Sequence, residues 1–315
     1  MNTRPSHQEQ SDPGRSSSPD NRIGASPQAI RVHYDLSDEF FKLWLGPEMI
    51  YSCAMFDDAQ DLASAQDLAH TQDLATAQLR KLDYHIEAAA AANAARVLDI
   101  GCGWGGLLER LVLHAGVKNA VGLTLSPSQA NWVRSHARPG IEVREEHWRD
   151  HKPGKPYDAI ISIGAFEHFA HPGMDSAKKL DGYRDFFAWC DGALTSRGRL
   201  SLQTIAYPAP PSESDRKRMA FIGEKIFPES ELPLIWEPIA AAEGRFELVT
   251  LRNDREHYYR TLRHWEHNLM ARHDEAAALV GEATVADFQR YLRVSSWGFK
   301  LGVVCLLRMC FVKVA

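Results

Sequence analysis

The segment Val97-Leu98-Asp99-Ile100-Gly101-Cys102-Gly103-Trp104-Gly105-Gly106 constrains the fold of this chain more than any other. A short, mostly apolar run passes straight into a glycine-rich turn. An amphipathic stretch, LLERLVLHAG, follows and closes at Gly116. A buried strand that turns on glycine into a helix is the opening unit of a nucleotide-binding α/β fold, because residues without a Cβ let a ligand approach the backbone closely.

The rhythm continues beyond it. NAVGLTLS, IEVREEHW, YDAIISIGAF and GRLSLQTIAY read as strands, separated by the helical stretches SQANWVRSHA and DGYRDFFAWCDGAL. Strands alternating with helices predict a parallel sheet covered on both faces, and right-handed crossovers make it doubly wound. The expected architecture is therefore α/β: a doubly wound, Rossmann-like sheet with a helical N-terminal segment and an inserted helical cap. Residues 1–29 are polar and rich in Ser, Pro, Gln and Asp, and read as a disordered tail without the apolar core of a signal peptide. Residues 30–84 form the N-terminal helical segment, 85–207 the cofactor-binding core, 208–295 the substrate cap and 296–315 a helix and strand completing the core. A short repeat, QDL at Gln60, Gln66 and Gln72, lies in an alanine-rich stretch and reads as a solvated helix.

Composition narrows the setting. A net charge of −5 over 315 residues provides no global basic field for nucleic acid. The five cysteines are odd in number and lack metal-ligand spacing, so free thiols in a reducing, cytoplasmic compartment are expected, and no metal. The longest apolar stretch, Trp297–Val314, is interrupted by Lys300 and Arg308 and is too short and charged to span a bilayer.

The glycine turn alone leaves a nicotinamide dehydrogenase open as a competitor. The run is GCGWGG rather than GxGxxG, however, and the second strand ends in Gly122-Leu123-Thr124-Leu125-Ser126 with no acidic residue to bind a ribose. Gln129 is a substitute hydrogen-bonding partner there. Asp99, just before the turn, is placed to face a cationic ligand. These details favour S-adenosylmethionine.

Seven segments then occur in order: HYDLSDEFFKLWLG, YSCAMF, VLDIGCGWGG, GLTLSPSQA, SIGAFEHF, IFPESELP and HYYRTLRHW. On these the chain resembles the cyclopropane fatty acid synthase family, including the mycolic acid cyclopropane synthases, over nearly its whole length after residue 30. The resemblance implies a class I methyltransferase fold, S-adenosyl-L-methionine as methyl donor, and methyl or methylene transfer to the double bond of an unsaturated acyl chain through a carbocation. It places Tyr51 and Ser52 on the methionine side of the cofactor, Gly101 and Gly103 at its backbone, Thr124, Leu125 and Gln129 at the ribose, and Trp148 beside the adenine. It also implies a bicarbonate ion as proton acceptor, held by Cys53, Ile163 (through its backbone), Glu167, Gln203 and Tyr258.

The chemistry makes its own demands. An alkene is a weak nucleophile, and its attack on a sulfonium methyl leaves a carbocation. The pocket must exclude water, stabilise positive charge and accept a proton. Gln203 departs from the family, which carries histidine in the corresponding LHTI motif where this chain has Leu202-Gln203-Thr204-Ile205. Glutamine does not titrate near neutral pH, so weaker electrostatic support for the anion is expected. C-methylation without ring closure follows as one possible outcome. His168 is expected to be a structural histidine facing a different side.

Phe221, Ile222, Ile226, Phe227, Leu232, Leu234, Ile235 and Trp236, with Tyr258, Tyr259 and Trp265, are candidates for an apolar tunnel. Arg216, Lys217 and Arg218 beside them suit a phosphate headgroup, a peripheral membrane contact or an acyl-carrier protein, or simply a solvated helix end. An unsaturated isoprenoid or polyketide is the alternative substrate.

Overall fold

The computed structural model describes residues 24–26, 28–29, 36–57, 73–136 and 138–314. The first two QDL copies, Gln72 of the third, and residues 1–23 and 27 of the expected tail lie outside these. Of that third copy, Asp73 caps the helix Leu74–Ala88 and Leu74 is buried, where a solvated helix was expected.

Strand β1 (Arg96–Ile100) shows how the pattern becomes structure. Its side chains alternate between faces: Val97 packs with one apolar cluster, Leu98 and Ile100 with another. On the Val97 side lie helices α2 (Leu74–Ala88) and α3 (Gly106–Leu113), which bury Leu82, Ile86, Leu107 and Leu111 against the sheet. On the Leu98 side α5 (Ser176–Ala193) buries Tyr183, Phe186 and Phe187. Both faces are covered, as a doubly wound sheet requires.

Strands β2 (Asn119–Thr124), β3 (Ile141–Glu145), β4 (Tyr157–Ile163), β5 (Leu194–Ala206), β6 (Phe246–Asn253) and β7 (Cys305–Lys313) complete a seven-stranded sheet of order β3-β2-β1-β4-β5-β7-β6. Strands β1 to β5 pair in parallel, and β7 runs antiparallel between β5 and β6. The five strands read from the sequence are the parallel ones; β7, expected only as a completing strand, runs against them. Nearly every residue of β7 is buried, so its sequence carries no alternation from which direction is readable.

The expected boundaries also shift. The 208–295 segment is not purely a helical cap, because it contributes β6 to the sheet. Helix α10 (Glu282–Lys300) runs through the 295/296 boundary, and α2 through the 84/85 boundary. Among the described residues of the expected tail, Ala25 and Ala29 are buried, and the Ala25 N–H donates to the His168 carbonyl at 2.8 Å.

Over the carboxyl edge sits a helical layer: α1 (Asp38–Leu45), α6 (Glu213–Lys225), α8 (Arg255–Ala271), α9 (His273–Val280) and α10, with α4 (Pro127–Ser135) and α7 (Trp236–Ala242) elsewhere around the sheet. Helix α1 starts because the Ser37 hydroxyl accepts from the Phe40 N–H and Asp38 and Glu39 fill its first turn; it stops at Gly46, where φ is 94°. Its Phe40, Phe41 and Trp44 meet Trp265 and Phe288 edge-on or tilted, with centroids 5.0 to 6.1 Å apart. Such pairs add roughly 0.5–1.5 kcal/mol each beyond area burial. They fix the helical layer as a rigid roof. No helix among the described residues is long and apolar enough to cross a membrane.

Candidate active site

The first cavity opens at the carboxyl end of β1, where the chain has crossed to β2 on one side and β4 on the other. This is the switch point at which open α/β sheets bind ligands. Gly101 has φ 85°, and a Cβ there would lie 2.6 Å from the Ala165 Cβ, so the turn after β4 closes down on it. Gly103 has φ 53° and faces open space, the shape of a cradle that a side chain would fill. Asp99 borders the same cavity with its carboxyl buried.

Thr124, Leu125 and Gln129 form the next part of the wall. The Thr124 hydroxyl donates to Gln129 Oε1 at 2.7 Å, and the Ser126 hydroxyl caps α4 by accepting from the Gln129 N–H. Trp148 closes the far end. Its indole N–H is buried without a partner among the described residues, and the Arg149 guanidinium lies 4.5 Å from its ring centroid. Tyr51 and Ser52 border the opposite end. The nine expected cofactor-binding residues thus share one cavity.

Two groups here were not foreseen. Lys81, fully buried on α2, donates to the Ser52 hydroxyl at 2.5 Å. Burial lowers its pKa to about 7 and raises that of Asp99 to about 7, while the attraction between the two works against both shifts. Asp38 of α1 accepts from the Trp104 indole at 2.7 Å and the Ser128 hydroxyl at 2.8 Å, tying the roof to the glycine turn and to α4. Neither residue stands in a recognisable motif of its own.

A second cavity adjoins the first and shares Tyr51, Ser52, Gly164 and His168 with it. Its walls are largely apolar: Met219 and Ile222 of α6, Phe227, Leu232, Leu262 of α8, Phe299 of α10 and Leu306 of β7. Of the expected tunnel residues, Ile222, Phe227, Leu232 and Tyr258 line it. Ile226 and Trp265 instead belong to the helical core, Ile235 packs on the sheet side, and Trp236 is half exposed. The structure assigns none of Phe221, Leu234 and Tyr259 to the wall.

Three polar side chains interrupt this apolar surface near the shared wall: Glu167, Gln203 and Tyr258. Glu167 Oε1 accepts from the Ile205 N–H at 2.6 Å, whereas Oε2 is buried without a hydrogen bond. Burial raises its pKa to about 7, partly opposed by the Ile205 N–H. The other two residues expected with them lie differently. Ile163 pairs with Gln203 in register at the strand ends but borders the first cavity. Cys53 is fully buried behind the second cavity; its thiol donates to the Ala54 carbonyl at 3.2 Å, and burial pushes its pKa up to about 11, so it is a neutral thiol.

Gln203 has an unforeseen neighbour. Its Oε1 accepts from Arg308 Nε at 2.9 Å, so a buried guanidinium, itself ion-paired with Asp254, stands directly behind the amide. His85 Nε2 lies 3.2 Å from the same oxygen. His168 corrects one expectation: it is hydrogen-bonded, Nδ1 to the Ser230 hydroxyl at 2.8 Å, but it faces the seam between the cavities. Burial lowers its pKa to about 4, so it is neutral there.

Taken together, the first cavity fits an adenosyl sulfonium. It offers a carboxylate for the cationic end, an open glycine cradle, and an orphaned indole N–H at the far end. A small oxyanion fits the polar corner of the second cavity, where Tyr258, the buried Glu167 carboxyl group and an amide backed by an ion-paired guanidinium share one wall.

Comparison with known proteins agrees with this geometry. Residues 23–309 match the family model described as mycolic acid cyclopropane synthetase. Cyclopropane mycolic acid synthase 1 of Mycobacterium tuberculosis is 32% identical over 292 residues, covering 87% of this chain and 93% of that protein. The S-adenosylmethionine-dependent methyltransferase UmaA of the same organism is 34% identical over 287 residues, covering 86% and 92%. Among solved structures, mycolic acid cyclopropane synthase CmaA1 complexed with SAH and CTAB superposes with a TM-score of 0.79 at 30% identity, covering 92% of this chain and 99% of that one.

Proposed function

Because the chain belongs to the mycolic acid cyclopropane synthetase family of S-adenosylmethionine-dependent enzymes, we propose that it methylates an acyl-chain double bond held in the second cavity. Glu167 carries this reading: a buried carboxyl group on the wall of an apolar cavity that adjoins a nucleotide-shaped one.

Bound in the first cavity, S-adenosylmethionine supplies an electrophilic methyl group. The protein does the rest. Tyr51, Ser52, Asp99 and the Gly101–Gly103 turn hold the sulfonium end against the shared wall, Thr124, Leu125 and Gln129 take the ribose, and Trp148 takes the adenine. The apolar walls hold the alkene and exclude water that would otherwise capture the carbocation. The Glu167 carboxylate and the face of Tyr258 stabilise positive charge as it develops. The proton then lost leaves towards the polar corner formed by Glu167, Gln203 and Tyr258, where a bicarbonate ion fits as acceptor. Cys53 and Ile163 support this corner from behind and beside it.

The substrate we favour is an unsaturated fatty acyl chain, presented as a phospholipid or as a carrier-protein thioester, in the cytoplasm. The cavity is long-walled and apolar, and the five cysteines are buried and unpaired. Arg216, Lys217 and Arg218 lie on α6, whose Met219 and Ile222 reach the cavity, so an anionic headgroup or an acidic carrier would dock beside its wall. Expression in a host with monounsaturated phospholipids, followed by mass analysis of the acyl chains, tests the reading. A gain of one CH₂ marks a cyclopropane or a methylated alkene, and a gain of CH₄ a reduced methyl branch. Unmodified chains despite intact S-adenosylhomocysteine binding would turn the assignment towards an unsaturated isoprenoid or polyketide.

A further inference from the structure

Gln203 and Arg308 face each other in register on the neighbouring strands β5 and β7, and both are essentially fully buried. All three nitrogens of the guanidinium are engaged. Nε donates to Gln203 Oε1, Nη1 pairs with Asp254, and Nη2 donates to the carbonyls of Cys53 and Ala54 at 3.1 and 3.0 Å. One side chain therefore ties β5, the 51–54 loop at the shared wall and the start of α8, the helix that carries Tyr258. A guanidinium only donates, so the amide beside it must present its oxygen. That settles which way Gln203 points its two ends: Oε1 lies against Arg308 and His85, and the NH₂ group is the end left for the cavity that Gln203 borders.

We propose that Arg308 is a positioning residue of this methyl-transfer site, fixing Gln203 as an N–H donor with a permanent cation behind it so that a small oxyanion is held beside Glu167 without a histidine. The inference rests on the reading above and deepens it. Its premises are geometric: the strand register, the saturated guanidinium and the place of Gln203 beside Glu167 on the same cavity wall. A neutral amide whose orientation was free would offer the ion an oxygen as readily as an N–H. Arg308 removes that choice.

Gln203→Glu is the informative variant, because it keeps size and shape, pairs readily with Arg308, and turns an oxygen towards the cavity in place of the N–H. Binding of ¹³C-bicarbonate, followed by broadening of its carbon resonance on addition of protein, needs neither alkene nor methyl donor. The wild type should broaden the signal and Gln203→Glu should abolish the effect. Turnover in the variant should fall roughly 10²-fold or more, with calorimetric S-adenosylhomocysteine affinity and melting temperature near wild type. Arg308→Lys keeps the charge but loses the fork; it should raise the half-saturating bicarbonate concentration roughly tenfold and lower kcat with little change in KM for the alkene. Adding Gln203→His to Arg308→Lys should restore much of both, since an imidazole N–H does not need the guanidinium to orient it.

A purely structural pair predicts the reverse for Gln203→Glu: unchanged bicarbonate binding and kcat, with stability the quantity that moves. That result, or a wild type that leaves the resonance sharp, overturns the proposal. Bicarbonate binding that is present and lost in Gln203→Glu, in a protein that leaves lipid alkenes untouched, would sink the substrate assignment and not the role of Arg308.

Discussion

The Glu167 carboxyl group accepts from the Ile205 N–H at 2.6 Å, its own backbone N–H and the Thr204 hydroxyl also favour the ionised form, and its second oxygen is shut away from water. Its folded pKa of about 7 stands above the ordinary carboxyl value of 4.5. Below pH 4.5 the carboxyl is protonated in both folded and unfolded chains. As pH rises through 7 the unfolded chain has already given up a proton that the folded state retains, so stability declines across that window. Glu167→Gln retains the acceptor for Ile205 and removes this cost. The variant should melt higher than wild type at pH 8, by up to about 3 kcal/mol of stability, and the gap should close by pH 5. Turnover should meanwhile fall roughly 10²–10⁴-fold while calorimetric S-adenosylhomocysteine affinity holds. A variant with wild-type turnover would remove Glu167 from the chemistry. Glu167 was legible in the sequence because it ends a strand at the carboxyl edge within a motif. Arg308 was not: in one dimension it looks like a charge interrupting an apolar run, and only pairing of β7 with β5 turns it towards Gln203.

At the level of elements, the strand-turn-helix units around β1, β2 and β4 announced themselves through local chemistry, and the glycine turn sits where the spacing puts it, while α4 starts one residue early on a Ser126 cap. β6 did not. It is an edge strand whose residues from Val249 onward are mostly exposed, so it has no buried face to impose an alternating pattern. Helix α1 shows what an element adds that its own sequence conceals. The aromatic stripe predicts burial, but Asp38 at its first turn is a surface-type residue by sequence and a fastener by position. It takes hydrogen bonds from Trp104 in the glycine turn and Ser128 at the start of α4. Asp38→Ala releases both donors. S-adenosylhomocysteine affinity measured by calorimetry should weaken roughly tenfold, as the loss of about 1–1.5 kcal/mol implies, while the product from a given alkene stays the same. An unchanged affinity would show that the turn needs no support from the roof.

The whole molecule is two packed layers with a cavity in each. The sheet and its flanking helices form the nucleotide site, and the aromatic roof encloses the apolar one. Phe288 stands at the centre of the roof, packed edge-on against Phe40, Phe41 and Tyr291. Phe288→Ala should cost about 3–5 kcal/mol in urea unfolding. Because Phe288 packs on Tyr291, which lines the second cavity and not the first, KM for the lipid should rise more than the dissociation constant for S-adenosylhomocysteine. Equal changes in both would mean that the layers respond as one body.

The register pair of Gln203 and Arg308 carries a consequence for how such a site can change over generations. Replacing the glutamine with an aliphatic residue leaves the buried Arg308 Nε without its acceptor, and replacing the arginine with an apolar residue strands Asp254 and two backbone carbonyls. Each such step crosses a costly intermediate. Apolar replacements at the two positions are therefore expected to be inherited together, whereas exchanges that keep a polar partner on each strand stay open as single steps.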